Sequence, residues 1–207
     1  MDKESDKNTK EAIGSLGSDD PAIILRVIPS TPEDRRGIYD ILLNSGIFHR
    51  EDAECVDEMF SISLTRNSVD DYRFLSCWEV YTRDKLSTST ESDSDDIHKA
   101  PVASKLIGFA CYGSEALTNR TWDLFWICVS GAARRKGAGR ALLAEVQHRA
   151  AQERVRLMVI YTSSTDKYTP ARGLYEALGF TREAVIPDYY ADNDDLFIYT
   201  KRITRKE

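Results

Sequence analysis

The sequence predicts one α/β domain built on a mixed, mostly antiparallel central sheet of about seven strands flanked by about four helices. Two observations carry this expectation. Apolar β-forming runs alternate with segments of helical apolar spacing along the 207 residues. That length suits one domain with a core of ordinary size, and hydrophobic residues at 42% with charged residues at 30% are values of a globular fold. No internal repeat divides the chain.

Ala22 to Ile28 is rich in Ile, Leu and Val and stops at Pro29, as a first strand does. Thr31, Pro32 and Glu33 then open a helix whose Ile38, Ile41 and Leu42 share a face. A second helix is expected over Asp52 to Thr65, where Val56, Met59 and Phe60 come together. Strands follow at Tyr72 to Tyr81 and Leu106 to Tyr112, and Thr121 to Val129 (TWDLFWICV) is strongly β-forming. Gly137 to Gln152 repeats apolar residues at Leu142, Leu143, Val146 and Ala150, which is helical spacing. Val155 to Tyr161 reads as another strand. Thr169 and Pro170 start a short helix in cap and first-turn order, Ala171, Leu174, Tyr175 and Leu178 line one face, and Gly179 ends it. Two last strands, Thr181 to Ile186 and Leu196 to Ile203, enclose the acidic turn Asp192-Asn193-Asp194-Asp195.

The net charge of -6 is localised. Residues 1–20 hold six acids against three lysines, and residues 84–99 hold five acids against two lysines. The rest is balanced, which argues against a nucleic-acid-binding surface spread over the fold. Both acidic segments are poor in large apolar residues and rich in Ser, Asp and Glu, so they bury too little to offset the entropy of ordering. A floppy tail over 1–20 and a flexible insertion at about 84–103 are expected, the latter as an overgrown hairpin loop inside one domain spanning 21–207.

Cys55, Cys77, Cys111 and Cys128 are widely spaced, with no CxxC, and His49, His98 and His148 are scattered. Neither a zinc module nor a disulfide framework is expected, and no metal. No apolar run reaches the roughly 18 to 20 residues of a membrane span, and the start MDKESDKNTKEA has no hydrophobic region, which predicts a cytoplasmic protein.

The most informative stretch runs from Val129 through Ser130-Gly131 to Arg134-Arg135-Lys136-Gly137-Ala138-Gly139-Arg140: a strand, a turn, then glycines opening a helix. Amides at a helix start are unpaired donors, and glycines let a ligand approach them closely. Four cations, Arg134, Arg135, Lys136 and Arg140, crowd the positive end of the helix dipole, where each is disfavoured by ~0.3 to 1 kcal/mol. An anion converts that repulsion to attraction, so a phosphate site is favoured over a solvated basic turn. A Walker loop fails, because no Ser or Thr follows Lys136-Gly137, and a dinucleotide fingerprint is weak, because Leu142 stands at its third glycine.

This stretch resembles the coenzyme A pyrophosphate loop of the GCN5-related N-acetyltransferase (GNAT) superfamily, R/Q-x-x-G-x-G/A, here Arg134-x-x-Gly137-x-Gly139. A second family motif, AxxLYxxxGF, is matched by Ala171, Leu174, Tyr175, Gly179 and Phe180. The resemblance extends from the first strand to the C-terminus, apart from the acidic insertion. It implies acetyl-CoA as cosubstrate and direct acetyl transfer to an amine in a ternary complex. It places the pyrophosphate on Arg134, Arg135, Lys136, Gly137, Ala138, Gly139 and Arg140. It pairs the backbone of Ile127, Cys128 and Val129 with the pantetheine arm, and aims the Ile127 amide at the thioester oxygen.

An alkylamine of pKa near 10 is only about 0.1% neutral at pH 7, so a base is needed. Asp123, eleven residues before Arg134, stands where histone acetyltransferases of the superfamily place their catalytic glutamate. The alternative for it is a cross-strand acid beside Trp122. Tyr175 falls on the position that protonates the departing thiolate; the alternative is a core aromatic. Cys128 invites an acyl-cysteine reading, but a cysteine in an apolar strand is usually core. Where many members have Asn, this chain has Tyr168, and Thr162, Ser163 and Ser164 are the candidates to replace its contact.

The final hairpin, with Asp188, Tyr189, Tyr190, Asp192, Asp194 and Asp195, suits a cationic acceptor through carboxylates and aromatic faces, although Asp194 and Asp195 also read as plain turn residues. A small amine or amino-acid-like acceptor is preferred, with a monomer or homodimer as the working unit. The alternatives are a protein N-terminus or lysine as acceptor, and a non-catalytic acyl-CoA-binding module.

Overall fold

The structure, a computed structural model, describes residues 22–65, 72–82 and 103–203. The acidic tail lies outside these residues, as does the insertion except for Ala103, which begins a strand.

Seven strands form one sheet: β1 (Ala22–Pro29), β2 (Arg73–Thr82), β3 (Ala103–Ser114), β4 (Thr121–Val129), β5 (Leu157–Ser163), β6 (Thr181–Ala191) and β7 (Asp194–Arg202). Four α-helices interrupt them: α1 (Arg35–Leu43), α2 (Arg50–Thr65), α3 (Ala138–Gln152) and α4 (Thr169–Ala177). The sheet order is β1-β2-β3-β4-β5-β7-β6, antiparallel throughout except for the parallel pair β4 and β5. The element order and fold class are those the sequence predicts. No helix among the described residues is long and apolar enough to cross a membrane.

Alternation along the strands feeds two cores, one on each face of the sheet. On one face Leu142, Leu143, Val146 and Ala150 of α3 pack on Leu75, Tyr112, Leu124, Met158 and Ile160. On the other, Ile38 and Leu42 of α1 and Val56 and Phe60 of α2 pack on Phe74, Phe109, Cys111 and Cys128. The apolar stripes read from the sequence are thus the buried faces of their helices. A capping box in which the Asp34 carboxylate accepts from the Thr31 N–H (3.0 Å) starts the first helical turn, as Thr31-Pro32 suggests.

The structure departs from expectation around the last helix and the final hairpin. Tyr168, not Thr169, is the N-cap of α4, because a short 3-10 turn at Asp166–Tyr168 leads straight into it. Strands β6 and β7 run closer together than the acidic turn suggests, leaving Asp192-Asn193 between them, with Asn193 at φ 61. Every residue of β6 is exposed, and its register with β7 shifts between Ile186 and Ala191.

The feature that creates a site is a parting of the sheet. β4 and β5 pair from Thr121↔Leu157 to Leu124↔Ile160 and no further. Beyond that point β4 stays with β3 through Val129, while β5 stays with β7 through Ser163. The split begins where the β3–β4 register slips, at Phe125, which stands opposite no residue of β3. Gly108 holds the β3 side of this segment close: a Cβ there would lie 2.9 Å from the Cys128 carbonyl oxygen and 3.2 Å from Val129 Cγ2. Gly108→Ala is therefore expected to destabilise the domain by about 1–3 kcal/mol through overpacking, read as a lower urea midpoint at unchanged m-value.

Candidate active site

The gap between β4 and β5 opens into a cleft of about 1210 Å³. One wall is Leu124 to Val129, the other Tyr161, Thr162 and Ser163. In an antiparallel strand alternate amides and carbonyls face each side, so those of β4 that face the gap have no strand to meet. An extended, amide-bearing chain lying along Ile127, Cys128 and Val129 would satisfy them.

At one end stands the start of α3. Gly137 is its N-cap, in the left-handed conformation at φ 90 and with no side chain capping the helix, so the first amides of α3 are open to a ligand. Gly139 has a different reason: a Cβ there would lie 3.2 Å from Leu174, so its smallness lets α3 and α4 meet at the cleft. Arg134, Arg135, Gly137, Ala138, Gly139 and Arg140 all line the cleft. Among the described residues neither Arg135 nor Arg140 has a carboxylate partner.

Two cations of the loop are tied elsewhere. Lys136 is not on the cleft wall; its ammonium donates to Glu79 Oε1 at 3.1 Å, and Glu79, only 3% exposed on β2, also accepts from Tyr81. A buried carboxylate needs a cation more than a solvated loop does, which is why the structure places Lys136 there. Arg134 lines the cleft but donates through Nη2 to the Ser45 carbonyl. Ser45 in turn organises the α1–α2 turn, its hydroxyl donating to Leu42 O and accepting from the Ile47 and Phe48 amides.

Asp123 is 3% exposed, with Oδ1 lacking any partner. Burial first, then the hydrogen bond and charge of Glu115, push its carboxyl up from 3.8 to about 7. It is not itself on the cleft wall, although its chain neighbour Leu124 and the nearby Tyr161 are. Tyr175 is 5% exposed, lies on the cleft wall and packs edge-on against Tyr199 at 5.7 Å. Burial holds its phenol well above the ordinary value, so it is protonated at neutral pH. Both readings of Tyr175 are thus physically compatible: it is core on one side and cleft on the other. Burial also pushes the Cys128 thiol up to about 12, which leaves little thiolate for an acyl-cysteine route.

Another part of the cleft lining is aromatic and acidic. Phe48 meets the Trp126 ring at 5.3 Å and the Tyr168 ring at 6.3 Å, both edge-on. Tyr190 from β6, Asp52 from α2 and Asp194 from β7 complete the lining. The Lys167 ammonium lies 5.4 Å from the Tyr168 ring centroid, so that ring already faces a cation. Of the hairpin candidates, Tyr190 and Asp194 reach the cleft. Asp188 and Asp195 instead hold the turn, accepting from the Asn193 and Asp188 amides. Thr162 and Ser163 line the cleft beside Tyr168, whereas Ser164 turns away to accept from the Asp195 amide. Phe48, Asp52 and Tyr161 escape the sequence reading; the Ser45-Gly46 turn, with Gly46 at φ 70, is the signal that points to Phe48 and Asp52, and none in the sequence points to Tyr161.

The comparisons with known proteins agree with this geometry. The profile of the acetyltransferase (GNAT) domain matches residues 95–182. A protein from Desulfovibrio desulfuricans, described as an acetyltransferase of the GNAT family, is 31% identical in its crystal structure; the match covers 88% of this chain and 100% of that one, with a TM-score of 0.67. The ribosomal-protein-S18-alanine N-acetyltransferase of Escherichia coli shares the fold at 17% identity over 89% and 97% of the two chains, TM-score 0.60. So does a Salmonella typhimurium protein described as an acetyltransferase and solved with its cofactor acetyl-CoA, at 17% identity over 89% and 96%, TM-score 0.60. The comparison with curated proteins returns no match.

The chain therefore belongs to the GCN5-related N-acetyltransferase family. It is a GNAT-type acyltransferase, and acetyl-CoA is the acyl donor of that family.

The raised carboxyl of Asp123 has a consequence for stability. The folded protein holds this proton more tightly than the unfolded chain, so unfolding releases it between about pH 4 and 7 and stability falls as pH rises through that window. Above it the loss is complete. Asp123→Asn removes the effect, and its melting temperature is expected to exceed that of the wild type at pH 8 but not at pH 4, as measured by scanning calorimetry.

Proposed function

We propose that this protein transfers the acetyl group of acetyl-CoA to the primary amine of a small cationic or amino-acid-like molecule, by direct attack with both substrates in the cleft. One observation carries this reading: a single cleft is lined both by the basic, amide-rich start of α3 and by the aromatic and carboxylate side chains of Phe48, Tyr168, Tyr190, Asp52 and Asp194. The first suits a diphosphate and the second an ammonium group.

In this reading the open amides of α3 with Arg135 and Arg140 hold the pyrophosphate, with Gly137, Ala138 and Gly139 giving close approach. Arg134 adds its charge while bracing the α1–α2 turn through Ser45. The backbone of Ile127, Cys128 and Val129 pairs with the pantetheine arm, and the Ile127 amide stabilises negative charge developing on the thioester oxygen. Acetyl-CoA supplies an acyl group activated by its thiolate leaving group. Asp123 takes the proton that the acceptor nitrogen must lose, and Tyr175, held protonated by burial, gives one to the departing sulfur. A carboxyl titrating at about 7 is well matched to that task at neutral pH. Its burial favours an acceptor that enters the cleft over one lying across an open groove.

Free-thiol release from acetyl-CoA across a panel of small amines, amino acids and peptides tests the proposal; turnover confined to peptides or lysine side chains would move the acceptor to the protein class. Gly137→Glu forces a side chain into the left-handed position and puts a carboxylate at the mouth, so acetyl-CoA is expected no longer to raise the melting temperature. Tyr175→Phe is expected to slow turnover about 10- to 100-fold with acetyl-CoA affinity unchanged; equal activity would leave Tyr175 as packing alone.

A further inference from the structure

We propose that Glu115 is the positioning partner of Asp123, its carboxylate standing beside Asp123 so that Asp123 takes up the acceptor's proton more readily than a lone aspartate would. The proposal rests on the reading of Asp123 as the proton acceptor and adds a residue to it.

Register carries the argument. Asp123 pairs with Gly113 across β3 and β4, and the Glu115 amide donates to the Thr121 carbonyl at 2.9 Å. Residues 115 and 123 are therefore diagonal neighbours on the same face of an antiparallel pair, within reach of a glutamate side chain. On the other flank Asp123 pairs with Val159, so Tyr161, two residues along β5, shares that face. Glu115, Asp123 and Tyr161 thus form a row across three strands, and its last member is half exposed on the cleft wall.

Asp123 is only 3% exposed, yet its Oδ1 has no hydrogen-bond partner. The groups that face it are Glu115 from the end of β3 and Tyr161 from β5, with Tyr189 of β6 beyond Tyr161. A carboxylate buried beside a second carboxylate is relieved by gaining a proton, and this makes the pair a stronger base than a lone aspartate. When the acceptor ammonium is deprotonated, its N–H bond breaks, the electron pair stays on nitrogen and the proton goes to Asp123, which passes from carboxylate to carboxylic acid.

The infrared band of protonated carboxyl groups, followed against pH in the full-length protein, tests this without any acceptor. Above about pH 6 ordinary carboxyls are ionised, so a wild-type band that persists and titrates near 7 is expected, absent from Asp123→Asn. In Glu115→Gln, and equally in Glu115→Ala should the first variant unfold, its midpoint is expected to fall by at least about one pH unit. A midpoint unmoved by both Glu115 substitutions overturns the proposal, as does a wild-type band lost by pH 6. Wild-type thiol release by Asp123→Asn would instead overturn the reading of Asp123 as base, a result separable from the first because the wild-type band and its shift in the Glu115 variants would be unaffected.

Discussion

Two parallel strands that hold each other for four residue pairs and then separate are the constraint on which the site depends. Backbone amides and carbonyls that leave a ladder must find other partners, and few proteins leave a row of them inside the fold. Here the outer neighbours keep the sheet intact: β3 grips β4 to Val129, and β7 grips β5 to Ser163. Helices α3 and α4 lie under the opening and bring Gly139 against Leu174. The sheet can therefore split without unravelling, and a cleft with a polar backbone edge results.

Both signs of charge line that cleft. Arginines and uncapped amides of the α3 start share it with the carboxylates and π faces of Asp52, Asp194, Phe48, Tyr168 and Tyr190. The protein spends one cation of the loop, Lys136, on its own buried Glu79, while Arg134 keeps its charge as it braces the Ser45 carbonyl, so the field at the mouth comes from Arg134, Arg135, Arg140 and the helix itself. The brace also joins the α3 mouth to the Phe48 side of the cleft, since Ser45 organises the turn that presents Phe48.

The parts of the site legible from sequence are those encoded in contiguous residues. Gly137 and the loop around it combine a turn, a helix start and a charge pattern within a few positions, and the strand before them reads as apolar β structure. The apolar stripes of α1 to α4 are equally local. What escapes the sequence depends on register. A bulge at Phe125 reverses the alternation of β4, so neither the face of Asp123 nor its neighbour Glu115 follows from spacing. Phe48 and Asp52 come from the α1–α2 turn and the first turn of α2, far away in the chain. Lys136 fails as a wall residue because a distant buried acid competes for it, and Ser164 because the final turn needs its hydroxyl.

The exposed β6 strand closes the sheet on a margin that could recruit a neighbouring sheet, with Val185, Ile186 and Tyr189 all open to water. Its own chemistry discourages that. Pro187 offers no amide, the register slip around it twists the backbone out of line, and Asp188 adopts φ 51, so an incoming strand would find a broken template after the first few residues. The irregularity that carries Tyr190 to the cleft also guards the margin against unwanted strand addition.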